Sequence, residues 1–264
     1  MTTVLAIDTS TRRIGIAIGT AAGVLGEMAF GGSSESGPPR HVEQLAPAIE
    51  YLLNNTETDL GAISAIAVSV GPGMFTGLRV GVVTATMLAD ALGLPMVGAT
   101  SLELVARPVL ERSTLNVMVV PVLDARRAEV YFGAYDRSDD NDGNGGNGAG
   151  ARTETENAAD ASMRMVWEPG IATPAEVCTR LASLAQPVLF CGDGAQRFRD
   201  EFAAVDGARF SPVSDASPSV AALVSIGCLR HDRGESVAPD AIAPLYLRQS
   251  DAEINATVVA GGRR

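Results

Sequence analysis

One pattern occurs twice in this chain: a short apolar strand, an aspartate, small residues, two arginines and a second strand. The first copy runs over residues 4–13 around Asp8, and the second over residues 120–127 around Asp124. The two halves share a second similarity: the strand at 188–190 ends at a Gly-Asp-Gly turn, and the strand at 62–70 ends at Gly-Pro-Gly. Such internal similarity predicts a duplicated structural unit with two lobes of one design.

The first copy begins as a meander and continues with alternating helices and strands. Strands are predicted at 4–7, 14–18 and 24–30, joined by turns short enough for antiparallel pairing. A helix at about 41–53, interrupted by Pro47, a strand at 62–70, a helix at 76–91 and a strand at 96–99 follow, with Gly93 and Pro95 as a stop signal. This order is typical of a ribonuclease-H-like unit, and strands at 117–123 and 128–135 start the second one.

These units define the expected domains. We expect a first lobe over residues 1–107, a second over 108–250, and a loosely held tail over 251–264. Residues 138–162 are rich in Asp, Asn, Gly and Ala, cannot bury enough apolar surface to offset chain entropy, and are predicted to form a mobile loop. Helices are predicted at 174–184, 195–205 and 217–230.

The charge composition limits the ligands. The formal net charge of -11 repels phosphate backbones, so unaided binding of nucleic acid is not expected. A local arginine patch could still touch RNA if another subunit supplied most of the positive field. All 20 basic residues are arginines, which excludes Schiff-base lysines and the Walker lysine.

Metal sites and membrane spans are not predicted either. His41 and His231 are the only histidines, no His-x-x-x-His or His-Glu-x-x-His occurs, and the three cysteines are widely spaced. We expect buried, reduced thiols and a cytoplasmic protein. The apolar run at 80–89 is shorter than the roughly 20 residues of a membrane span, and the N-terminus has no charged segment of a signal peptide.

Two loops of the first lobe could carry chemistry. Asp8, Thr9 and Ser10 end a strand, where a carboxylate and hydroxyls can hold a metal-bound phosphate, although the usual neighbouring glycine is lacking. The loop of Gly71 and Gly73 precedes a helix, whose N-terminus attracts anions. A vestigial nucleotide site and ordinary structural turns are both open for these residues.

Two further residues, Thr76 and Arg126, receive assignments from their positions in the sequence. Thr76 is the expected N-cap of the second helix. Arg126, in the second copy of the pattern, lies either in a cleft between the lobes or in a local ion pair with an acid such as Glu129.

The helix at 76–91 is apolar on every side, with charges only at Arg79 and Asp90. Such a helix must be buried on every side. Small residues recur every four positions and form a strip that another helix can approach closely: Gly77, Gly81, Ala85 and Ala89. One face can pack on its own sheet. The other is covered either by the helix at 41–53 or by a helix of another chain.

Four segments occur in the order of one known family. They are Ala-Ile-Asp-Thr-Ser-Thr at 6–11, Gly-Pro-Gly-x-Phe-Thr-Gly-Leu-Arg at 71–79, Asp-Ala-Arg-Arg-x-Glu-Val-Tyr at 124–131 and Pro-x-Tyr-Leu-Arg at 244–248. The chain resembles the TsaB family, also called YeaZ, of the bacterial machinery that makes N6-threonylcarbamoyladenosine in tRNA. The resemblance covers nearly the whole chain except 138–162 and the tail. It implies an α/β fold of the actin-like, hexokinase-type (ASKHA) class with two ribonuclease-H-like lobes.

The resemblance implies a non-catalytic partner subunit. It would bind and stabilise TsaD, the metal-carrying paralogue that modifies adenosine 37, and TsaE, an ATPase, would join a larger assembly. Two copies of the chain would pair when TsaD is absent, and tRNA would be met only through the complex. No catalytic residue, metal or cofactor of its own is implied, although ATP or ADP could bind at the interface with TsaD. The alternative is an ATP-dependent phosphotransferase or ATPase of the sugar-kinase type, motivated by the turn at Asp8.

In that family, two helices of the first lobe form a bundle with the matching helices of TsaD. Here they correspond to the helices at about 41–53 and 76–91. The interface residues implied on them are His41, Leu45, Ile49, Leu52, Thr76, Val80, Gly81, Val83, Thr84, Met87 and Leu88. The vestigial nucleotide site would comprise Asp8, Thr9, Ser10, Gly71, Gly73 and Arg126.

Overall fold

Two five-stranded sheets organise the described part of the chain, which in this computed structural model comprises residues 1–31, 41–114, 117–137, 163–184 and 186–248. The strands of the first sheet are β1 (Thr3–Asp8), β2 (Ile14–Thr20), β3 (Gly23–Phe30), β4 (Ala65–Gly71) and β5 (Met96–Thr100). Their order is β3-β2-β1-β4-β5. The first three strands pair antiparallel, and β4 and β5 continue the sheet in parallel, as predicted.

The second sheet repeats this arrangement. Its strands are β6 (Met118–Asp124), β7 (Val130–Arg137), β8 (Met163–Ala172), β9 (Val188–Cys191) and β10 (Ala208–Phe210), in the order β10-β9-β6-β7-β8. With β6 in the place of β1, strand order and pairing directions match those of the first sheet. The predicted duplication is therefore confirmed, and the fold is of the actin-like, hexokinase-type class with two ribonuclease-H-like units.

Helices cover both faces of the first sheet. Leu5 and Ile7 of β1 belong to a core with α1 (His41–Asn55) and α2 (Phe75–Leu92). Val4 and Ala6 belong to a second core with α7 (Val220–Asp232) on the opposite face. A strand buried on both faces reads as a continuous apolar run, which is why β1 shows no alternation of polar and apolar residues.

The two units are Met1–Leu104 with Pro218–Arg264, and Val105–Ser217. The first boundary, predicted at residue 107, thus falls at Leu104, inside helix α3 (Ser101–Arg112). The predicted extent of the second lobe, to residue 250, is corrected to Ser217. The physical reason is that α7 buries its apolar residues against the first sheet.

The second unit departs from prediction in its smaller elements. The helix predicted at 195–205 is divided at Phe198 into α5 (Asp193–Arg197) and α6 (Arg199–Phe202), and α4 (Pro174–Leu181) stops short of residue 184. The strand expected after the loop at 138–162 is β8, whose bounds were not predicted because it contains Pro and Gly. The edge strand β10 was not predicted, since it has only three residues. The predicted mobile loop at 138–162 and the tail at 251–264 lie outside the described residues.

Helix α2 ends as predicted and begins differently. Gly93 closes it in a left-handed conformation, and its N–H donates to the carbonyls of Ala89 and Asp90. The N-cap position belongs to Met74, with no side-chain cap, so the prediction for Thr76 is wrong. With 18 residues, α2 is long and apolar enough by length and composition to cross a membrane, unlike the shorter run at 80–89, and 33% of it is buried within the chain.

Candidate functional site

The turn after β1 is almost completely buried. Asp8, Thr9 and Ser10 are 3%, 1% and 1% exposed. The carboxylate of Asp8 accepts a hydrogen bond of 2.9 Å from the backbone N–H of Ser10. Burial raises the pKa of Asp8, while hydrogen bonding from Ser10 and Ser69 opposes this shift. The geometry is that of an aspartate that caps its own turn.

The same turn is packed tightly against α2 and the loop before it. The hydroxyl of Thr9 donates to the carbonyl of Gly77 over 2.8 Å, and a Cβ at Gly81 would stand 2.0 Å from that hydroxyl. The N–H of Met74 donates to the carbonyl of Ser10 over 2.8 Å, and a Cβ at Gly73 would stand 2.2 Å from the same oxygen. The hydroxyl of Thr9 and the carbonyl of Ser10 are therefore engaged within the protein.

The structure thus brings five of the six residues of the predicted nucleotide site into one cluster. Gly71 completes it, with a φ of +98° and a cis peptide bond to Pro72. Each member contributes to packing between the end of β1, the end of β4 and the start of α2. This favours the structural interpretation of both loops over a phosphate cradle.

Arg126 belongs to the second unit. Its backbone N–H donates to Asp124 over 2.9 Å, and its guanidinium lies 3.8 Å from the same carboxylate with the side chain 64% exposed. Arg197 donates to the same oxygen of the Asp124 carboxylate over 2.6 Å. Asp193 accepts from the N–H of Asp124, and burial raises the pKa of Asp193. Of the two interpretations of Arg126, the structure supports a local ion pair, here with Asp124.

The predicted interface residues of α1 do not form a surface. Leu45, Ile49 and Leu52 are 1%, 7% and 3% exposed and lie in the core beneath the first sheet. Their assignment to an interface is therefore corrected, because their spacing marks the side of the helix that packs on its own lobe. The side chain of His41 lies outside the described residues. The sequence analysis missed Tyr51, which is 57% exposed on the other side of α1.

Helix α2 is divided into an internal and an external face. The whole small-residue strip is buried, so it serves close packing within the lobe and not the approach of a foreign helix. Gly81 is therefore also withdrawn from the predicted interface. Val83 and Met87 are 54% and 68% exposed, so α1 does not cover them. The remaining predicted residues, exposed or half-buried, are Thr76, Val80, Thr84 and Leu88. The half-buried Leu88 packs against the core of the first unit. We call Val80, Val83, Met87 and their neighbours Thr76 and Thr84 the outer face of α2.

An aromatic and arginine cluster adjoins the start of α2. The rings of Phe75 and Tyr246 lie 4.8 Å apart, and the guanidinium of Arg79 stands 4.0 Å above Phe75. Arg79 also donates a hydrogen bond of 3.1 Å to the hydroxyl of Tyr246. The N–H of Leu245 donates to the carbonyl of Val70 over 2.7 Å, which fixes this segment beside β4. The two motifs at 71–79 and 244–248 thus meet in space, which no sequence signal indicated.

Possible metal ligands and the cysteines were also located in the structure. Among the described residues, no three His, Cys, Asp or Glu side chains lie together as ligands for a metal ion. All three cysteines are free, and Cys191 and Cys228 are buried, as expected for reduced thiols. Burial, with a smaller effect of Asp232, raises the pKa of Cys228 to about 11.

Comparison with known proteins gives one consistent family. Residues 35–256 match the family model of TsaD, tRNA N6-adenosine threonylcarbamoyltransferase. The tRNA threonylcarbamoyladenosine biosynthesis protein TsaB of Escherichia coli is 28% identical over 94% of this chain and 96% of its own length. The protein of the same name from Bacillus subtilis is 35% identical over 50% of this chain and 55% of its own length.

Solved structures agree with these relatives. A Pseudomonas aeruginosa protein described as similar to the peptidase YeaZ superposes with a TM-score of 0.73 at 26% identity, covering 94% of this chain and all of that one. YeaZ from the same organism gives the same TM-score and coverage at 24% identity, which supports the fold. The chain belongs to the family of TsaD, tRNA N6-adenosine threonylcarbamoyltransferase, and within it is similar to TsaB over nearly its whole length.

Proposed function

We propose that this chain is a subunit for the biosynthesis of N6-threonylcarbamoyladenosine in tRNA, and that it acts by binding a TsaD-type transferase rather than by catalysing the transfer. The first part is supported by the full-length similarity to a TsaB protein of that pathway. The second part rests on the surfaces and loops described above. Any ATP or ADP of the assembly would, in this proposal, bind where the two subunits meet.

The observation that carries the proposal is the outer face of α2. The helix has 18 residues and is charged only at Arg79 and Asp90, yet only a third of it is buried within the chain. Val83 and Met87 lie one turn apart and expose more than half of their side chains. A contiguous apolar helix face of this kind is typical of a surface that another helix covers.

The chemistry of the occupant follows from this face. Around Val83 and Met87 it offers the hydroxyls of Thr76 and Thr84 and no charge of its own, so a complementary surface would be apolar and helical. Arg79 and Asp90 flank the face at its two ends. A transferase lobe of the same fold would present equivalent helices, and a second copy of this chain would do so when the transferase is absent.

The Asp8 turn supports the non-catalytic part. A carboxylate that is buried and bound by its own turn cannot reach a substrate without breaking that turn. The hydroxyl of Thr9 is likewise committed to α2, and the carbonyl of Ser10 to the N–H of Met74. A phosphotransferase of the sugar-kinase type needs these groups free at a phosphate, so the observations do not favour that alternative.

The experiment compares three preparations: the TsaD-type enzyme of the same organism, this chain, and both together, each with unmodified tRNA and the other components of the pathway. Nucleoside mass spectrometry measures N6-threonylcarbamoyladenosine. We expect the modification with both subunits and none with this chain in place of the transferase. Modification by this chain without the transferase would contradict the non-catalytic assignment, and equal rates with and without this chain would contradict the partnership.

A further inference from the structure

Three segments of the first unit meet at the end of the sheet where β1 and β4 terminate. They are the turn at 10–13, the stretch at 73–79 that starts α2, and the segment at 244–248. The hydrogen bond from Met74 to Ser10 joins the first two, and the bonds from Leu245 to Val70 and from Arg79 to Tyr246 join the third. We call this surface the arginine edge.

The charge of the arginine edge is opposite to that of the chain. Residues 9–13, 71–79 and 242–248 contain four arginines and no acidic residue, whereas the whole chain has a formal net charge of -11. The arginines are Arg12, Arg13, Arg79 and Arg248. The adjoining Asp8 is buried, so it does not offset them at the surface.

Ion pairing distinguishes these arginines from others in the molecule. Within the described residues, Arg12, Arg13 and Arg79 have no carboxylate within salt-bridge distance. Three arginines of the second unit, by contrast, are paired with acids, in Arg112–Asp215, Arg164–Asp136 and Arg197–Asp124. Arg13 and Arg79 are also exposed. The positive charges of Arg12, Arg13 and Arg79 are therefore available to an external anion.

An aromatic ring lies beside Arg79 on the arginine edge. Tyr246 is 41% exposed and is held in place by the ring of Phe75 and by Arg79. A fixed, half-exposed aromatic ring next to arginines is the combination that proteins use for single-stranded nucleic acid, in which arginines bind phosphates and a base stacks on the ring.

A mononucleotide in the adjoining turn does not fit these contacts. The hydroxyl of Thr9 and the carbonyl of Ser10 are engaged by Gly77 and Met74, and the backbone at Gly73 and Gly81 fills the space beside them. The arginines stand outside this closed turn. They can reach a ligand that lies on the surface of the unit, such as the backbone of a polynucleotide.

We propose that the arginine edge contacts tRNA directly, with Arg12 and Arg13 at phosphates and an unpaired base on Tyr246. The inference rests on the proposed function, because a chain of this net charge needs a partner to hold it near a polyanion. It goes further in assigning part of the tRNA surface to this subunit.

The test measures tRNA binding to the assembled complex of this chain with its TsaD-type transferase, by fluorescence anisotropy at several salt concentrations. The variants are Arg12→Ala with Arg13→Ala, Tyr246→Ala and Tyr246→Phe. The matched control is Arg209→Ala, which removes an exposed arginine of β10 that has no ion pair within the described residues. The mass of each complex is measured first, so that assembly and tRNA binding are separated.

The double arginine variant should lower the slope of log Kd against log salt by about 2, roughly 1 for each phosphate contact. Tyr246→Ala should raise Kd about fivefold or more, whereas Tyr246→Phe, which keeps the ring, and Arg209→Ala should match the wild type. Assembled variants with wild-type Kd and slope would overturn the inference. So would a double variant that loses binding of ADP but retains that of tRNA. If the wild-type subunits do not assemble, the proposed function fails; if they assemble but the complex does not bind tRNA, this inference is overturned separately.

Discussion

A Cβ atom at Gly81 would stand 2.0 Å from the hydroxyl oxygen of Thr9. No side chain tolerates such a contact, so the backbone of α2 lies directly on the turn that follows β1. The hydroxyl is itself fixed by its hydrogen bond to Gly77, one helical turn earlier. The small-residue strip of α2 therefore exists for packing inside the lobe, and the opposite face is left for other contacts.

Replacement of Gly81 with alanine should destabilise the fold rather than the partner interface. The new methyl group must displace Thr9, which is 1% exposed, and overpacking of this kind costs about 1–3 kcal/mol. Urea denaturation measures the free energy of unfolding. Gly61→Ala is the control, because nothing lies within 4 Å of a Cβ at that position.

A double-mutant cycle can assign this cost to Thr9. Thr9→Ala removes the hydroxyl that the new methyl group would meet, so the two substitutions together should cost less than the sum of the single effects. Additive costs would show that the strain arises elsewhere and would contradict the close approach described here.

This packing also shows how far the sequence could lead. Small residues at every fourth position correctly indicated that another segment approaches α2 closely, but periodicity cannot say whether that segment belongs to the same chain. Here it is the turn at Thr9. For α1, the resemblance to the family indicated that the helix belongs to the interface, but the residues chosen on it, Leu45, Ile49 and Leu52, lie in the core. The choice failed because a core face and an interface face have the same apolar spacing.

The sheets had a clear signal in the sequence, whereas the Phe75–Tyr246 contact and the helix break at Phe198 had none. The duplicated strand pattern predicted the first sheet and the central strands of the second, because apolar strands joined by short turns leave few topologies. The contact between Phe75 and Tyr246 joins residues far apart in sequence, and no local pattern encodes it. The break at Phe198 likewise interrupts a stretch whose composition suits one continuous helix.

Asp8→Asn should stabilise the protein at neutral pH. The pKa of Asp8 is raised in the fold from its ordinary value of 3.8, so its contribution to stability is lost as pH rises from there through the folded pKa. Asparagine cannot ionise and can still accept the bond from Ser10. The free energy of unfolding, measured from pH 3 to pH 7, should increase for the variant relative to the wild type as pH rises.

The same variant addresses catalysis. With the transferase present, Asp8→Asn should support tRNA modification at the wild-type rate, because the carboxylate is committed to its own turn. A loss of modification by an Asp8→Asn chain that still folds and assembles would favour the phosphotransferase or ATPase alternative.

Arg230→Ala should destabilise the first unit markedly. Arg230 forms an ion pair with Glu103 and donates to the carbonyl of Gly98, and the side chain of Glu103 is only 9% exposed. Breaking a fully buried pair costs about 3–5 kcal/mol, and because Arg230 is 30% exposed we expect about 2–3 kcal/mol. Thermal and urea unfolding measure this change.

The control for Arg230 is a surface ion pair. Arg164 is 56% exposed and pairs with Asp136 at 2.6 Å. Arg164→Ala should cost less than about 1 kcal/mol. Equal costs for the two variants would mean that the Arg230–Glu103 pair does not connect α7 to α3 as the structure indicates.

The most direct test of the account is the affinity between this chain and its TsaD-type transferase when the outer face of α2 carries charge. The double variant Val83→Asp with Met87→Asp should have a free energy of unfolding within about 0.5 kcal/mol of the wild-type value, since both residues are largely exposed. Titration calorimetry should nevertheless show Kd raised about tenfold or more. Val213→Asp, at a site 72% exposed in the second unit, should bind as the wild type does. A folded double variant that binds the transferase with unchanged affinity would contradict the central claim.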